Sequence, residues 1–201
     1  MSRGSYAKSA EVRRRVLEAC VDAFAQTGFY GATMKDIAKR AGISYTGLLH
    51  HFPCKEGLLI GVLELRSEQT TSLLGASVMN PAEHPMEALN GMLAVIADNE
   101  RHPGLLELHC VMSGEATSPG HPAHAYYAER FGNLRWFYTA VFTALHERGE
   151  LRTPIDPPTL ATMAVSLLNG LQTQWLYDRE AVDIPGTFRA FLAAAIPALD
   201  G

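Results

Sequence analysis

The sequence predicts an all-α protein, with a three-helix N-terminal domain followed by a C-terminal helical bundle. Three observations carry that expectation. Apolar residues recur at helical spacing along most of the chain, and no segment alternates apolar and polar residues as a half-buried strand does. Prolines fall where periodic segments begin, at Pro85, Pro157 and Pro185. The stretch from Thr33 to Lys55 reads as two short helices joined by a tight turn.

The residues through about Ser9 are polar and basic and are expected to form a loose arm. From Ala10 to Thr27, Val12, Val16, Leu17, Cys20, Val21 and Phe24 make one apolar stripe closed by Gly28, with Arg13, Arg14 and Arg15 on or near its exposed side. Thr33 then opens a helix as its N-cap, with Asp36 placed three residues on to reach back as in a capping box. Met34, Ile37, Ala38 and Ala41 follow at helical spacing, and Gly42 ends the helix where a left-handed residue costs least. Ile43 plugs the corner and Ser44 is a second N-cap, so a new helix starts two residues after the old one stops.

That arrangement is a helix-turn-helix. In its docking geometry the first residues of the second helix meet base edges in the DNA major groove while the first helix crosses the backbone. Ser44, Tyr45 and Thr46 are therefore the candidate base readers and His50 a flanking phosphate contact. Gly47 costs about 1 kcal/mol against Ala inside a helix, which close approach to a sugar-phosphate edge would explain. Pro53 stops the recognition helix, and Lys55 falls in the first turn of the next one, where a cation is unfavourable by about 0.3–1 kcal/mol. A phosphate outside the fold would resolve that, and Thr33, at the start of its own helix, is a second candidate phosphate site.

The segment from Arg13 to Glu64 resembles the DNA-binding domain of the TetR/AcrR family of bacterial transcriptional regulators. The likeness rests on Thr33, Asp36-Ile37-Ala38, Ala41-Gly42-Ile43-Ser44 and His51-Phe52-Pro53-x-Lys55-Glu56, in order and at the expected distances. It covers about a quarter of the chain. One departure is Leu49, where many relatives carry a tyrosine that binds phosphate, a role that passes here to His50 or Tyr45. The resemblance implies a helix-turn-helix domain over 1–56 and a ligand-binding and dimerisation domain over 57–201.

The net charge of −4 hides an asymmetry: residues 1–66 hold ten Lys or Arg against six Asp or Glu, and residues 67–201 hold seven against fifteen. One part faces a polyanion and the other faces something else. Cys20, Cys54 and Cys110 fit neither a disulfide framework nor a zinc site, which points to a reducing cytoplasm, beside the nucleoid. No apolar run reaches the length of a membrane span, and the first residues lack a hydrophobic signal core.

Beyond Lys55 the pattern predicts a helix to about Ala76, the only physical link between the domains, and then helices over about Pro85–Asn99, Gly104–Gly114, Ala123–Arg148, Pro157–Asp178 and Pro185–Leu199. On the third of these last five, Tyr127, Phe131, Leu134, Tyr138, Val141 and Leu145 form one seam, with Trp136, Phe137 and Phe142 to its sides. A mostly apolar cavity with a few polar groups is how small-ligand sites are built, and His109, Met112, Trp136, Phe137, Asn169 and Gln172 are the candidate lining. The resemblance supplies the cavity itself and places homodimerisation at the helices over 157–178 and 185–199. Such a dimer presents two recognition helices about 34–36 Å apart to a palindromic double-stranded operator.

Other chemistries are thinly supported. His121 and His124, and the adjacent His50 and His51, lack a third ligand at metal-site spacing. There is no Gly-x-Ser-x-Gly elbow, phosphate-cradling glycine loop or dinucleotide fingerprint, so no catalytic residue, metal or cofactor is expected. The alternatives are a small all-helical hydrolase using His109 or His121 with Glu107 or Glu115, and a protein-binding adaptor, which leaves the basic N-terminal part unexplained. The expected function is a regulator, commonly a repressor among similar proteins, released from its operator by a small apolar or amphipathic effector.

Overall fold

Helices supply the regular structure of the described residues, as the periodicity predicts. The computed structural model describes residues 3–74 and 80–199, with backbone alone for 3–8, 10 and 66–74. In chain order they form α1 (Arg3–Gly31), α2 (Met34–Arg40), α3 (Tyr45–His51), α4 (Lys55–Leu74), α5 (Pro85–Asn99), α6 (Pro103–Glu115), α7 (His124–Glu147), α8 (Pro157–Tyr177), α9 (Ile184–Ala193) and a 3-10 turn at Pro197–Leu199. The residues expected to be a loose arm are thus helical from Arg3 on, while Ala76, the expected end of α4, lies outside the described residues. None of the described helices is long and apolar enough to cross a membrane.

Two compact units divide the chain, one of Met1–Glu68 with Glu107–Ala125 and the other of Gln69–Leu106 with Tyr126–Gly201. The first unit runs on past Glu56 into α4. Leu58, Leu59 and Val62 of α4 are buried, and Gly61 lets that helix close on α1 and α3's end, since a Cβ there would stand 3.2 Å from both Leu17 and Phe52. Nor is α4 the one helix shared by the units, because the latter part of α6 also belongs to the first.

In the first unit, Val16, Leu17, Cys20 and Phe24 of α1 are buried along with Ile37 of α2 and Leu48 of α3, the stripe the spacing predicts. Burial pushes the Cys20 thiol well above its usual pKa, so this cysteine is a small apolar core residue.

The second unit has a core of Leu89, Ile96, Tyr138, Phe142, Leu160, Ala164, Phe188 and Ile196 with their neighbours. The α7 seam is rotated from the expected one: Phe137 and Phe142 are buried while Phe131 and Leu134 are only partly so. α9 is shorter than expected. Pro197 disfavours helix at the residue before it, and the chain turns so that the Ala195 carbonyl accepts from the Arg152 amide at 2.7 Å.

Candidate nucleic-acid interface

The turn between α2 and α3 follows from three local devices. Thr33 Oγ1 accepts from the Asp36 amide at 3.1 Å, which fixes the start of α2. The reciprocal half of the expected capping box does not form, because the Asp36 carboxylate turns forward to Arg40 Nε at 2.7 Å. Gly42 adopts φ +67°, its amide reaching the Lys39 carbonyl and the Ile43 amide the Ala38 carbonyl, each at 3.1 Å. That pair of bonds is the Schellman closure a left-handed glycine permits. Ser44 Oγ then accepts from the Gly47 amide at 3.0 Å and starts α3.

α3 buries Leu48 completely and leaves Ser44, Tyr45, Thr46 and His50 exposed, with the Tyr45 side chain 44% accessible. The predicted readers are therefore all open to a partner outside the fold. Thr33 is exposed as well, ahead of the first turn of α2. Gly47 has an internal explanation that sequence reasoning missed: a Cβ there would press to 3.1 Å on the capping Ser44 oxygen.

Lys55 finds partners inside the fold, which the dipole argument did not anticipate. Its Nζ donates to the Ala32 carbonyl at 3.0 Å and the Tyr30 carbonyl at 3.5 Å, and lies 4.5 Å from the centre of the Phe29 ring. Carbonyl dipoles and a ring face thus offset the unfavourable first-turn position. The arginines of α1 are partly committed too. Arg14 is claimed by Glu11 and Glu18, and Arg13 lies 4.4 Å from the centre of the Phe52 ring.

The six candidate ligand residues divide between the units, His109 and Met112 in the first and Trp136, Phe137, Asn169 and Gln172 in the second. Met112, Phe137 and Gln172 are buried, and His109 and Asn169 half-buried. Trp136 is 60% exposed, because the α7 register turns Phe137 and Tyr138 inward. Asn169 Nδ2 donates to the Val165 carbonyl at 2.8 Å on its own helix. A group the spacing did not single out is the Tyr138 hydroxyl, fully buried without a hydrogen-bond partner and pushed up in pKa by that burial.

His121 and His124 serve the backbone around them. His121 Nδ1 accepts from the Ala123 amide at 3.1 Å, and His124 Nδ1 donates to the Ala116 carbonyl at 2.8 Å. His121 and Glu115 do meet, with Nε2 3.5 Å from Oε2, and that carboxylate also accepts from the Phe29 amide.

Two capped helices joined through a left-handed glycine, α2 and α3, make a helix-turn-helix. Residues 16–62 match the profile of bacterial regulatory proteins, tetR family. The HTH-type transcriptional regulator RutR of Escherichia coli (strain K12) is 48% identical over 51 residues, 25% of this chain and 24% of that protein. The likeness to RutR therefore spans about a quarter of its length. The HTH-type transcriptional repressor BepR of Brucella suis biovar 1 (strain 1330) is 24% identical over 193 residues, 90% of this chain and 88% of its own. Among solved structures, the SmeT–triclosan complex superposes with a TM-score of 0.71 at 17% identity, covering 92% of each chain. NalD, the secondary repressor of the MexAB-OprM multidrug efflux pump in Pseudomonas aeruginosa, gives 0.71 at 18% identity over 94% of this chain and 97% of its own. These two likenesses concern the fold.

Proposed function

We propose that the chain is a dimeric, ligand-responsive transcriptional regulator, a repressor that holds a palindromic operator and releases it when a small apolar or amphipathic molecule binds the helical unit. The observation that carries this reading is α3: Ser44 caps it, Leu48 anchors it, and Tyr45, Thr46 and His50 are exposed along it. In this reading Ser44, Tyr45 and Thr46 touch bases, while Thr33, His50 and Lys55 meet phosphates. No catalytic step falls to Glu115 and His121, and with Cys20, Cys54 and Cys110 spaced unlike a disulfide framework the protein works in a reducing cytoplasm, on the chromosome.

The α8 surface supports self-association. That helix carries no charged residue over its 21 positions, and its outward side includes Met163 and Tyr177, 43% and 89% exposed. A face of Thr, Met, Ser and Tyr joined by α9 suits a symmetry mate better than water does. For the effector, the unpartnered Tyr138 hydroxyl and the buried Gln172 amide are polar points in an apolar surround, which suits a small amphipathic molecule. The size of the response is bounded by the ligand's preference for one form, about 5.5 kcal/mol for near-complete conversion.

Gel-shift titration of a palindromic duplex that the purified chain selects from a random pool tests the reading. Binding at low salt that falls steeply as salt rises supports it, and salt-independent or absent binding overturns it.

A further inference from the structure

α1 is broken at Gly28, whose φ of 69° and ψ of 177° lie far from helical values. The break costs the Phe29 amide the carbonyl one turn back that a continuous helix would offer. Glu115, the last residue of α6 and 86 positions away, replaces it: Oε2 accepts from the Phe29 amide at 2.8 Å. The other carboxylate oxygen occupies the space beside the bare Gly28 Cα, so closely that a Cβ at residue 28 would collide with it. Gly28 thus admits Glu115 twice over, by a positive-φ backbone that frees the Phe29 amide and by a missing side chain that leaves room for the carboxylate.

His121 closes the arrangement. Its side chain is fully buried, with Phe29 and Tyr30 edge-on at 5.2 and 5.5 Å. Because Nδ1 accepts from the Ala123 amide, the proton sits on Nε2, which faces Glu115 Oε2 at 3.5 Å and makes no hydrogen bond. After the break the chain makes one more turn, with the Ala32 amide returning to the Gly28 carbonyl at 3.2 Å. The Tyr30 and Ala32 carbonyls in that turn are the ones that hold Lys55, and Thr33 follows at once as the cap of α2.

We infer that Glu115 is a positioning residue for DNA binding: through the Phe29 amide it sets the corner from which Thr33 and Lys55 are presented. This rests on the operator-binding reading above. Glu115 touches no DNA itself, and its effect is geometric, on two of the six proposed contacts.

The test uses the full chain, with the duplex that the unaltered protein selects from a random pool as the probe. Glu115→Ala should speed hydrogen exchange at the Phe29 amide and weaken the selected duplex about tenfold, the size expected for losing a bond to a charged group. The salt slope should stay the same, because no phosphate contact is deleted. Glu115→Gln, which keeps an acceptor for Phe29, should recover most of the affinity. Glu115→Asp, which keeps the charge but draws the acceptor back from Phe29, should reproduce most of the Glu115→Ala loss and serves if Glu115→Ala folds poorly. A core variant on α5, Ile96→Val or Ile96→Ala, whichever matches the thermal midpoint of Glu115→Ala, controls for stability. Equal binding by Glu115→Ala and the unaltered chain, or equal losses in the α5 variant and Glu115→Ala, overturns the inference and leaves the operator reading intact. An unaltered chain that selects no duplex overturns the operator reading, and the inference with it.

Discussion

The Ser44 hydroxyl oxygen accepts from the Gly47 amide at 3.0 Å, and a Cβ on residue 47 would meet that same oxygen at 3.1 Å. Cap and glycine are therefore coupled. Ser44→Ala should lower stability by about 1 kcal/mol. Gly47→Ala should be near neutral in the native background, where the gain of helix propensity is offset by pressure on the cap. In the Ser44→Ala background the same change should stabilise by up to about 1 kcal/mol. A thermal or denaturant double-mutant cycle reads the difference, and strict additivity contradicts the coupling.

Lys55 and Tyr45 separate positioning from reading. Lys55→Ala removes a phosphate contact in the proposed complex, so binding should weaken on every sequence and the salt slope should fall by about 1. It also removes the cation over Phe29, which adds about 0.5–1 kcal/mol to the loss of stability. Tyr45→Ala should instead cost about 1–3 kcal/mol at one base position and relax preference there. Binding measured against a panel of single-base variants distinguishes them. Altered base preference in Lys55→Ala contradicts this sorting of contacts.

Much of the head was legible because its signals are local. Thr33, Gly42 and Ser44 each act within three or four residues, so their roles as cap, left-handed turn and cap can be read from spacing alone. The starts of α5 and α8 were equally plain from Pro85 and Pro157. Glu115 was not, since its bond to Phe29 joins positions far apart in sequence and no local pattern distinguishes it from a solvated glutamate. Lys55 was legible as an anomaly, though its partners inside the fold were not. The exposure of Trp136 shows the limit of composition: a tryptophan among aromatics looks buried until the register of Phe137, Tyr138, Val141 and Phe142 shows which side faces the core.

Asp156 makes the stability of α8 depend on pH. Hydrogen bonds from the Thr159 side chain and from its amide, the latter at 3.1 Å, hold the exposed carboxyl below its usual pKa. A lowered folded-state value means that the stabilisation is present above the unfolded pKa of about 3.9 and is lost as pH falls through the folded one. Asp156→Ala should therefore lower the thermal midpoint at neutral pH, with the deficit shrinking in strong acid. Asp156→Asn, an equally good cap, should show little deficit at pH 7. A deficit that grows on acidification contradicts the assignment.

The outward side of α8 makes a prediction about assembly. If this face meets its symmetry mate, Met163→Glu places two like charges near the axis and should shift the protein to the monomer mass in light scattering, with its helical content retained. Loss of the dimer should also weaken palindromic DNA far more than a half-site. A dimer that persists in Met163→Glu moves the interface elsewhere.

The central claim is that α3 reads duplex DNA in symmetric pairs, and selection of fragments from a random duplex pool by the purified chain tests it most directly. The expected result is enrichment of an inverted repeat whose half-sites lie about one helical turn apart, 10–10.5 base pairs, or a multiple of that. Recovery of a pool no different from the input would contradict it.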